Sequence, residues 1–486
     1  MWAKILQWIQ DKVNSMLNTS SVKDALRVDV AISPLMITAL TEWSNMYINQ
    51  AGWLSDTVKS LNLPAAIAGE ISRAVTIEMD IEISGSLRAD YLYDQIDRVY
   101  PKLRQYVEFG CAKGGLMMKP YVSNGFILVD FVQADQFYPI SFDANGKITA
   151  CVFSDTKVIG RNYFTRLEYH QMTSAGCQVT NVVYKADGPN TLGRLDSLQS
   201  VADWAQLEPE ALITNISRPL FAYFRYPQAN NIDPTSPLGV SCYARAVELI
   251  EQADKTWSQF LWEMESGGRA LYADVMAFDK DTSGKTILPN RRLYRTMNMG
   301  GAKDDFFQEW SPTLREQNFI NSLDTILKKI EFNCGLAYGT LSDPNVVAAT
   351  ATEIKMQKQR SYATVTDTQK ALETALEDLL YAMDTWATLA GLAPAGTYEA
   401  VYNFDDSIVA DHDTQFAQDS QALGLGVMSK VEWRMRTYGE TEQIAREKIA
   451  LVQQESAAAM DFFTQPAGAL SSANPNNQMM QGQPAV

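Results

Sequence analysis

Between Val240 and Ala390 the chain reads as three long helical patterns with two interruptions, and few folds accommodate that order. Tyr243, Val247, Ile250, Trp257, Phe260 and Met264 form one apolar seam, while Glu248, Glu251, Asp254 and Lys255 fall on other faces. This predicts a helix over Val240–Ser266, about 40 Å long and stopped at Gly267-Gly268. A turn-rich insert, Arg269–Pro312, comes next, with strand candidates Ala270–Phe278 and Arg291–Met297. A second helix is predicted over Thr313–Asn333 through Leu314, Ile320, Leu323, Leu327 and Ile330, closed by Cys334-Gly335. After the loop GLAYGTLSDPN (335–345), a third helix is predicted from about Ala349 to Ala390. Its seam is Tyr362, Val365, Gln369, Leu372, Leu376, Leu379, Met383, Trp386 and Ala390. A helix of about 60 Å needs a long packing partner, either inside the chain or in an assembly.

Two helices that leave and re-enter a small β-rich module make a stalk with a cap. The flanking sequence supplies the body that such a stalk needs. Residues 1–70 read as helical, including Thr38–Asn49. Ala74–Ile83 alternates apolar and polar residues as a half-buried strand does, and Tyr91–Glu108 returns to helix. Short strand patterns then run at Phe126–Phe131, Lys147–Phe153, Tyr163–Gln171 and Gln178–Tyr184, with hairpin turns at Ser123-Asn124-Gly125 and Asp143–Gly146. The polar, proline-rich stretch 226–238 ends this α+β region. Beyond the long helix, Ser429–Thr437 and Glu440–Gln454 are predicted helices joined at Tyr438-Gly439. The tail after Asp461 has no charged residue and reads as disordered.

The charge balance, 41 Lys and Arg against 57 Asp and Glu for a net −16, argues against gripping nucleic acid by phosphate neutralisation. It does not exclude a duplex that passes close by. Five scattered cysteines without CxxC spacing fit free thiols in a reducing compartment. No apolar run is long enough to span a membrane, and the start lacks a signal-peptide cleavage pattern. Trp2, Ile5, Leu6, Ile9, Val13, Met16 and Leu17 mark one helical stripe, too poor in basic charge for a membrane-surface helix and so expected to pack on protein.

Catalytic patterns are sparse. Two histidines, His170 and His412, exclude a three-histidine metal site within one copy. Asp411-His412-Asp413 reads as a solvated helix start, and Asp304-Asp305 and Asp405-Asp406 as solvated acids. Gly110–Gly115 contains a lysine but lacks the spacing and the Ser/Thr of a phosphate loop, so it reads as a helix-ending turn. No metal and no cofactor are expected.

A set of motifs runs through the chain in fixed order. These are Trp43-x-x-x-Tyr47, Gly52-Trp53-Leu54, Phe306-Phe307, Trp310–Arg315, Gly335–Ser342, Thr350–Ile354, Phe404–Ser407, Gly424–Lys430 and Tyr438-Gly439. Together they resemble the portal proteins of tailed bacteriophages over about residues 30 to 460, in particular the group from phages infecting Gram-positive bacteria. The resemblance implies an α+β, mainly helical, multidomain portal-type subunit. Its parts would be an N-terminal helical segment (1–42), a wing (43–239), stem helices (240–268 and 313–334), a β-containing clip (269–312), a tunnel loop (335–349), a long helix (350–391), a helical crown (392–460) and the tail (461–486).

By the same resemblance, the chain forms a homo-oligomeric ring, twelve-fold in the virion, at one capsid vertex. Non-sequence-specific double-stranded DNA passes through the ring. The terminase large subunit, head-completion or adaptor proteins, and capsid and scaffolding proteins are its partners, with assembly in the host cytoplasm. Twelve copies would carry about −192, a repulsive wall past which DNA slides. Ser342, Asp343, Asn345, Val346 and Val347 are the expected tunnel-loop contacts. Lys328 and Lys329 either face the channel or lie on an outer solvated face. Leu271, Tyr272 and Phe278 either bind partners at the clip or pack its small core. Two other classes stay open from sequence, another virion structural protein and a carboxylate-dependent hydrolase.

Overall fold

The computed structural model describes residues 19–188, 191–267, 270–274, 294–297, 307–310, 313–343, 351–404, 412–438 and 440–452. The chain divides into two compact units, Met1–Asp405 and Asp406–Val486. The stripe at residues 2–17, the acid pairs at 304–305 and 405–406, and the uncharged tail lie outside the described residues.

The first unit opens with α1 (Thr19–Leu26), α2 (Pro34–Tyr47) and α3 (Leu63–Thr76). Ser33 caps α2 by accepting from the Met36 N–H, and Pro34 occupies the first turn, where no amide hydrogen is needed. Strand β1 (Met79–Ser84) precedes the 27-residue α4 (Leu87–Lys113). The strand expected from Ala74 thus starts five residues later. Val75 continues the buried Ile67–Ile71 face of α3 one turn on, so the apparent alternation there belongs to a helix.

Next come β2 (Gly115–Ser123) and β3 (Phe126–Gln133), joined through Asn124 and Gly125, both at positive φ as a tight hairpin of this twist requires. A meander continues the chain: β4 (Phe137–Phe142), β5 (Ile148–Ile159), β6 (Asn162–Thr173), β7 (Gly176–Ala186) and β8 (Arg194–Asp196), with β9 (Glu210–Thr214) also on β7. β10 (Ala222–Arg225) returns to β2, giving a second sheet of order β10-β2-β3. All four strand patterns expected from sequence in this region are strands, each longer than expected, although β5 starts at Ile148 and not at Lys147.

Helix α5 runs Val247–Ser266, not from Val240. Residues 240–243 are fully buried on every side, and the Cys242 N–H donates to the Cys111 carbonyl at the end of α4. The segment therefore crosses the core as a strap of turns, and an amphipathic helix begins only where one face reaches solvent. The other helices are α6 (Glu316–Cys334) and the 39-residue α7 (Ala351–Leu389). Val365, Gln369, Leu372, Leu376, Leu379 and Met383 of the expected seam are buried, and α7 packs on β10 and β2. Its long partner is internal.

One strand has no counterpart in the sequence pattern. β14 (Glu399–Phe404) pairs antiparallel with β1, from Met79 opposite Phe404 to Ser84 opposite Glu399. Residues 392–404, expected in the crown, thus pack with the first unit.

The second unit contains α8 (His412–Gly424), α9 (Lys430–Tyr438) and a helix over 442–452, here α10. Phe416, Trp433 and Tyr438 form a chain of ring contacts, and Arg434 and Lys448 both reach Glu440. Among its described residues only Ala445 is buried.

Candidate functional site

Helices α5 and α6 pack against each other as an antiparallel pair. At its base the pair enters the core through Ile250, Ala253 and Ile330. There the loop after α2 straps it down. Trp53 Nε1 and the Leu61 N–H donate to the two oxygens of buried Asp254, at 3.0 and 2.7 Å, and the Lys59 N–H donates to Ser258 Oγ. Burial pushes the Asp254 carboxyl up, and these hydrogen bonds oppose the shift. Towards the far end, Phe260 stacks on Trp257 along α5 and meets Phe319 of α6 at a tilt. Arg315 meets Glu263 with two parallel hydrogen bonds, 3.1 and 2.9 Å, while Trp262 and Ile320 remain exposed. Gly267 ends α5 where any Cβ would strike Leu314, so the helix pair closes tightly at its tip.

Beyond the tip lies a three-stranded sheet in the order β12-β11-β13, from Tyr294–Met297, Ala270–Asp274 and Phe307–Trp310. Leu271 and Tyr272 sit on β11, the central strand, parallel to β12 and antiparallel to β13. The edges of this sheet therefore belong to β12 and β13, with Leu271 and Tyr272 on the strand between them, where no ladder position is left for a third partner. The strand over Phe307–Trp310 is not among those expected, although its aromatic residues belong to the motif set. Phe278 lies outside the described residues.

At the other end, α6 leads into the loop through Gly335, whose φ of +73 closes the helix in the left-handed region. Glu331 fixes the chain just beyond. Its fully buried carboxylate accepts from the Leu341 N–H (2.6 Å), the Ser342 N–H (2.9 Å) and Ser342 Oγ (2.9 Å). Two turns earlier, Asp324 accepts from the Asp343 N–H at 3.0 Å and pairs with Lys328 at 2.7 Å. Burial would raise the Asp324 carboxyl, but Lys328 and the Asp343 amide outweigh it and hold it low. Thr364 of α7 donates to the Gly335 carbonyl. The first half of the loop is thus bonded to both α6 and α7.

The expected site residues separate accordingly. Ser342 and Asp343 are at the anchored root, and Ser342 is buried. Asn345, Val346 and Val347 lie outside the described residues. Lys328 is held by Asp324, while Lys329 is exposed. Glu331 is absent from the sequence-based candidates. A signal existed, because an acid in the last turn of a helix opposes the helix dipole and needs a local reason.

Among the described residues no group of three His, Cys, Asp or Glu side chains is placed to hold a metal ion. His170 is buried against Glu168 at 2.7 Å, and the five cysteines are buried and unpaired. Lys113, in the glycine-flanked turn, pairs with Asp135 at 2.6 Å.

A body of sheets and helices carrying a helix pair with a β tip and an anchored loop defines a structural subunit of the portal type. The family model described as "Phage portal protein, SPP1 Gp6-like" matches residues 88–459, and the chain belongs to that family. It is a portal protein, a virion component from a family of structural rather than enzymatic proteins. No curated protein matches the chain. Among solved structures, one described as "Neck of native GTA particle computed with C12 symmetry" shares 9% identity, with a TM-score of 0.43, covering 87% of this chain and 99% of that one. Another, "Neck of empty GTA particle computed with C6 symmetry", shares 10% identity with the same TM-score over 82% and 93%.

Proposed function

We propose that copies of this chain close into a ring, twelve-fold in the virion, through which double-stranded DNA enters and leaves the capsid at one vertex. The observation that carries this reading is the α5–α6 pair, which ties the core at its base to a β sheet at its tip and leads directly into the anchored loop. In that arrangement the tip sheet is the docking face for the terminase large subunit and for head-completion or adaptor proteins, through the edge strands β12 and β13 and the Leu271, Tyr272 and Phe278 segment. Ser342 and Asp343 set the root of the loop from which Asn345, Val346 and Val347 meet the duplex. Exposed Lys329 is the better candidate for a positive ring, because Lys328 is already neutralised by Asp324. The net −16 per copy keeps DNA contacts weak and sliding.

Capsid and scaffolding proteins are the further partners, assembly takes place in the host cytoplasm, and the portal group the chain resembles is that of phages infecting Gram-positive bacteria. These points rest on the motif resemblance. No catalytic role is assigned to the chain.

Electron microscopy of the purified chain, with mass measurement of the particle, tests the reading. A ring of about a dozen copies with a central hole supports it. A compact dimer with a closed centre would overturn it.

A further inference from the structure

Where the strap, the end of α6 and the start of α7 meet, the first unit contains a cavity of ≈ 290 Å³. Arg245 from the strap and Arg360 from α7 both line it. Both side chains are exposed, and neither forms an ion pair among the described residues. The Arg360 guanidinium lies over the Phe332 ring, 4.0 Å from its centroid, so a normally loose side chain is held in place. A stacked guanidinium keeps its in-plane N–H donors for an acceptor, and a carboxylate matches that fork with two parallel bonds.

The same cavity also demands donors. Asp367, two turns along α7 from Arg360, lines it, and so does Gln228, whose Oε1 is buried without a hydrogen-bond partner. A DNA phosphate offers only acceptors, would be repelled by Asp367, and leaves Gln228 unsatisfied. The volume sits near the lower end of ligand pockets, about 300–1,000 Å³, which suits a few side chains and not a convex duplex. A polypeptide segment with an acidic side chain supplies both the carboxylate and the N–H groups. The chain itself has such segments in excess, with 57 acids against 41 bases.

We propose that this cavity receives an acidic segment of a neighbouring copy of the same chain, in the head-to-tail contact that a ring repeats at every interface. The inference rests on the ring reading above. It makes Arg245 and Arg360 assembly residues, set at the joint from which stalk, loop and long helix diverge.

The test uses the full chain in wild-type form, R360E and R360K, each checked by thermal melting as a monomer. Ring closure is followed by mass against concentration and salt, and rings are treated with a carbodiimide. R360E is expected to need about tenfold more protein to close, or not to close at all. R360K places an amine at the same point. It should gain a zero-length cross-link from position 360 to an Asp or Glu of the adjacent copy, absent from wild type. If R360E closes at the wild-type concentration and R360K gains no such cross-link, the proposal is overturned while the wild-type ring still stands. If R360E closes normally but loses duplex binding, the cavity faces phosphate and the proposal is overturned. A wild-type chain that never closes sinks the ring reading itself, and that control alone reveals it. Should R360E fail to fold, the R360K cross-link decides.

Discussion

At the scale of single residues, Glu331 does the most for the portal loop. Removing it leaves two amides and a hydroxyl without an acceptor in a buried place. E331A is therefore expected to cost about 3 kcal/mol, read as a shift of the urea midpoint at constant slope. E331Q keeps one carbonyl oxygen for the amides and turns an NH2 to the Ser342 hydroxyl, so about half that loss is expected. Equal losses in the two variants would mean that Glu331 matters by volume alone. Glu168 is the second such residue. Burial would raise its carboxyl, but Lys119 of β2, then His170 and Arg166 of its own strand, outweigh burial and hold it well below the usual carboxylate range. A depressed carboxyl contributes stability that is full above the unfolded value, 4.5, and lost as pH falls through the folded one. E168Q should cost about 3 kcal/mol near neutral pH, because it strands buried cations, and should flatten the decline in stability below about pH 4.5. A denaturation series across pH checks both. Glu168 is not legible in the sequence, because its partner Lys119 lies on a distant strand, and Glu331 shows only as an acid in the last turn of a helix, with no sign of the loop that folds back to it. Lys328 shows the converse, as it reads as a free cation until its partner four residues away is seen.

At the scale of elements, what the sequence reveals depends on how the element is buried. Helices with one wet face, such as α5, α6 and the second half of α7, announce themselves by period, and so do the hairpins of the meander. The strap at 240–246 does not, because burial of all its residues but Arg245 erases the period and leaves a mostly apolar run that mimics a helix. β14 is not legible because its partner β1 lies about 300 residues earlier, and strand pairing over that distance leaves no local mark. The strap has its own sharp requirement. A Cβ on Gly239 would lie 1.9 Å from the Gly114 carbonyl oxygen, and Gly114 itself has a φ of +82 at the end of α4. No flexible side chain can yield there, since both surfaces are backbone. G239A is expected to destabilise the chain by about 3 kcal/mol or more, although Gly-to-Ala changes commonly cost about 1 kcal/mol or less in either direction. Calorimetry of G239A beside G125A, a turn glycine with open space around its Cβ, separates steric conflict from the cost of positive φ alone.

At the scale of the whole molecule, the two compact units differ in how they are held together. The first has an extensive core in which α4, the strap, α6 and α7 all meet. The second has helices of 13 and 9 residues and a third over 442–452, with Ala445 as the one buried residue among those described. Phe416, Leu425, Val427, Tyr438, Leu451 and Val452 are exposed in a single copy. Helices shorter than about 12–15 residues are marginal in water unless an apolar face is buried, and the i to i+4 ion pairs here, Glu432–Arg436 and Glu442–Arg446, each contribute only about 0.5 kcal/mol. Local stability of this unit in a lone copy must therefore be low. The proposed ring would bring identical units side by side and offer those apolar side chains a partner, which the first unit does not need. Hydrogen exchange of the full chain reads this directly. Amides over 412–452 should exchange at least about 100-fold faster in the monomer than in the ring, while those of α4 and the second half of α7 change little. Equal protection of 412–452 in both states would show that the second unit is stable alone, and its exposed apolar side chains would then mark a surface for a different partner.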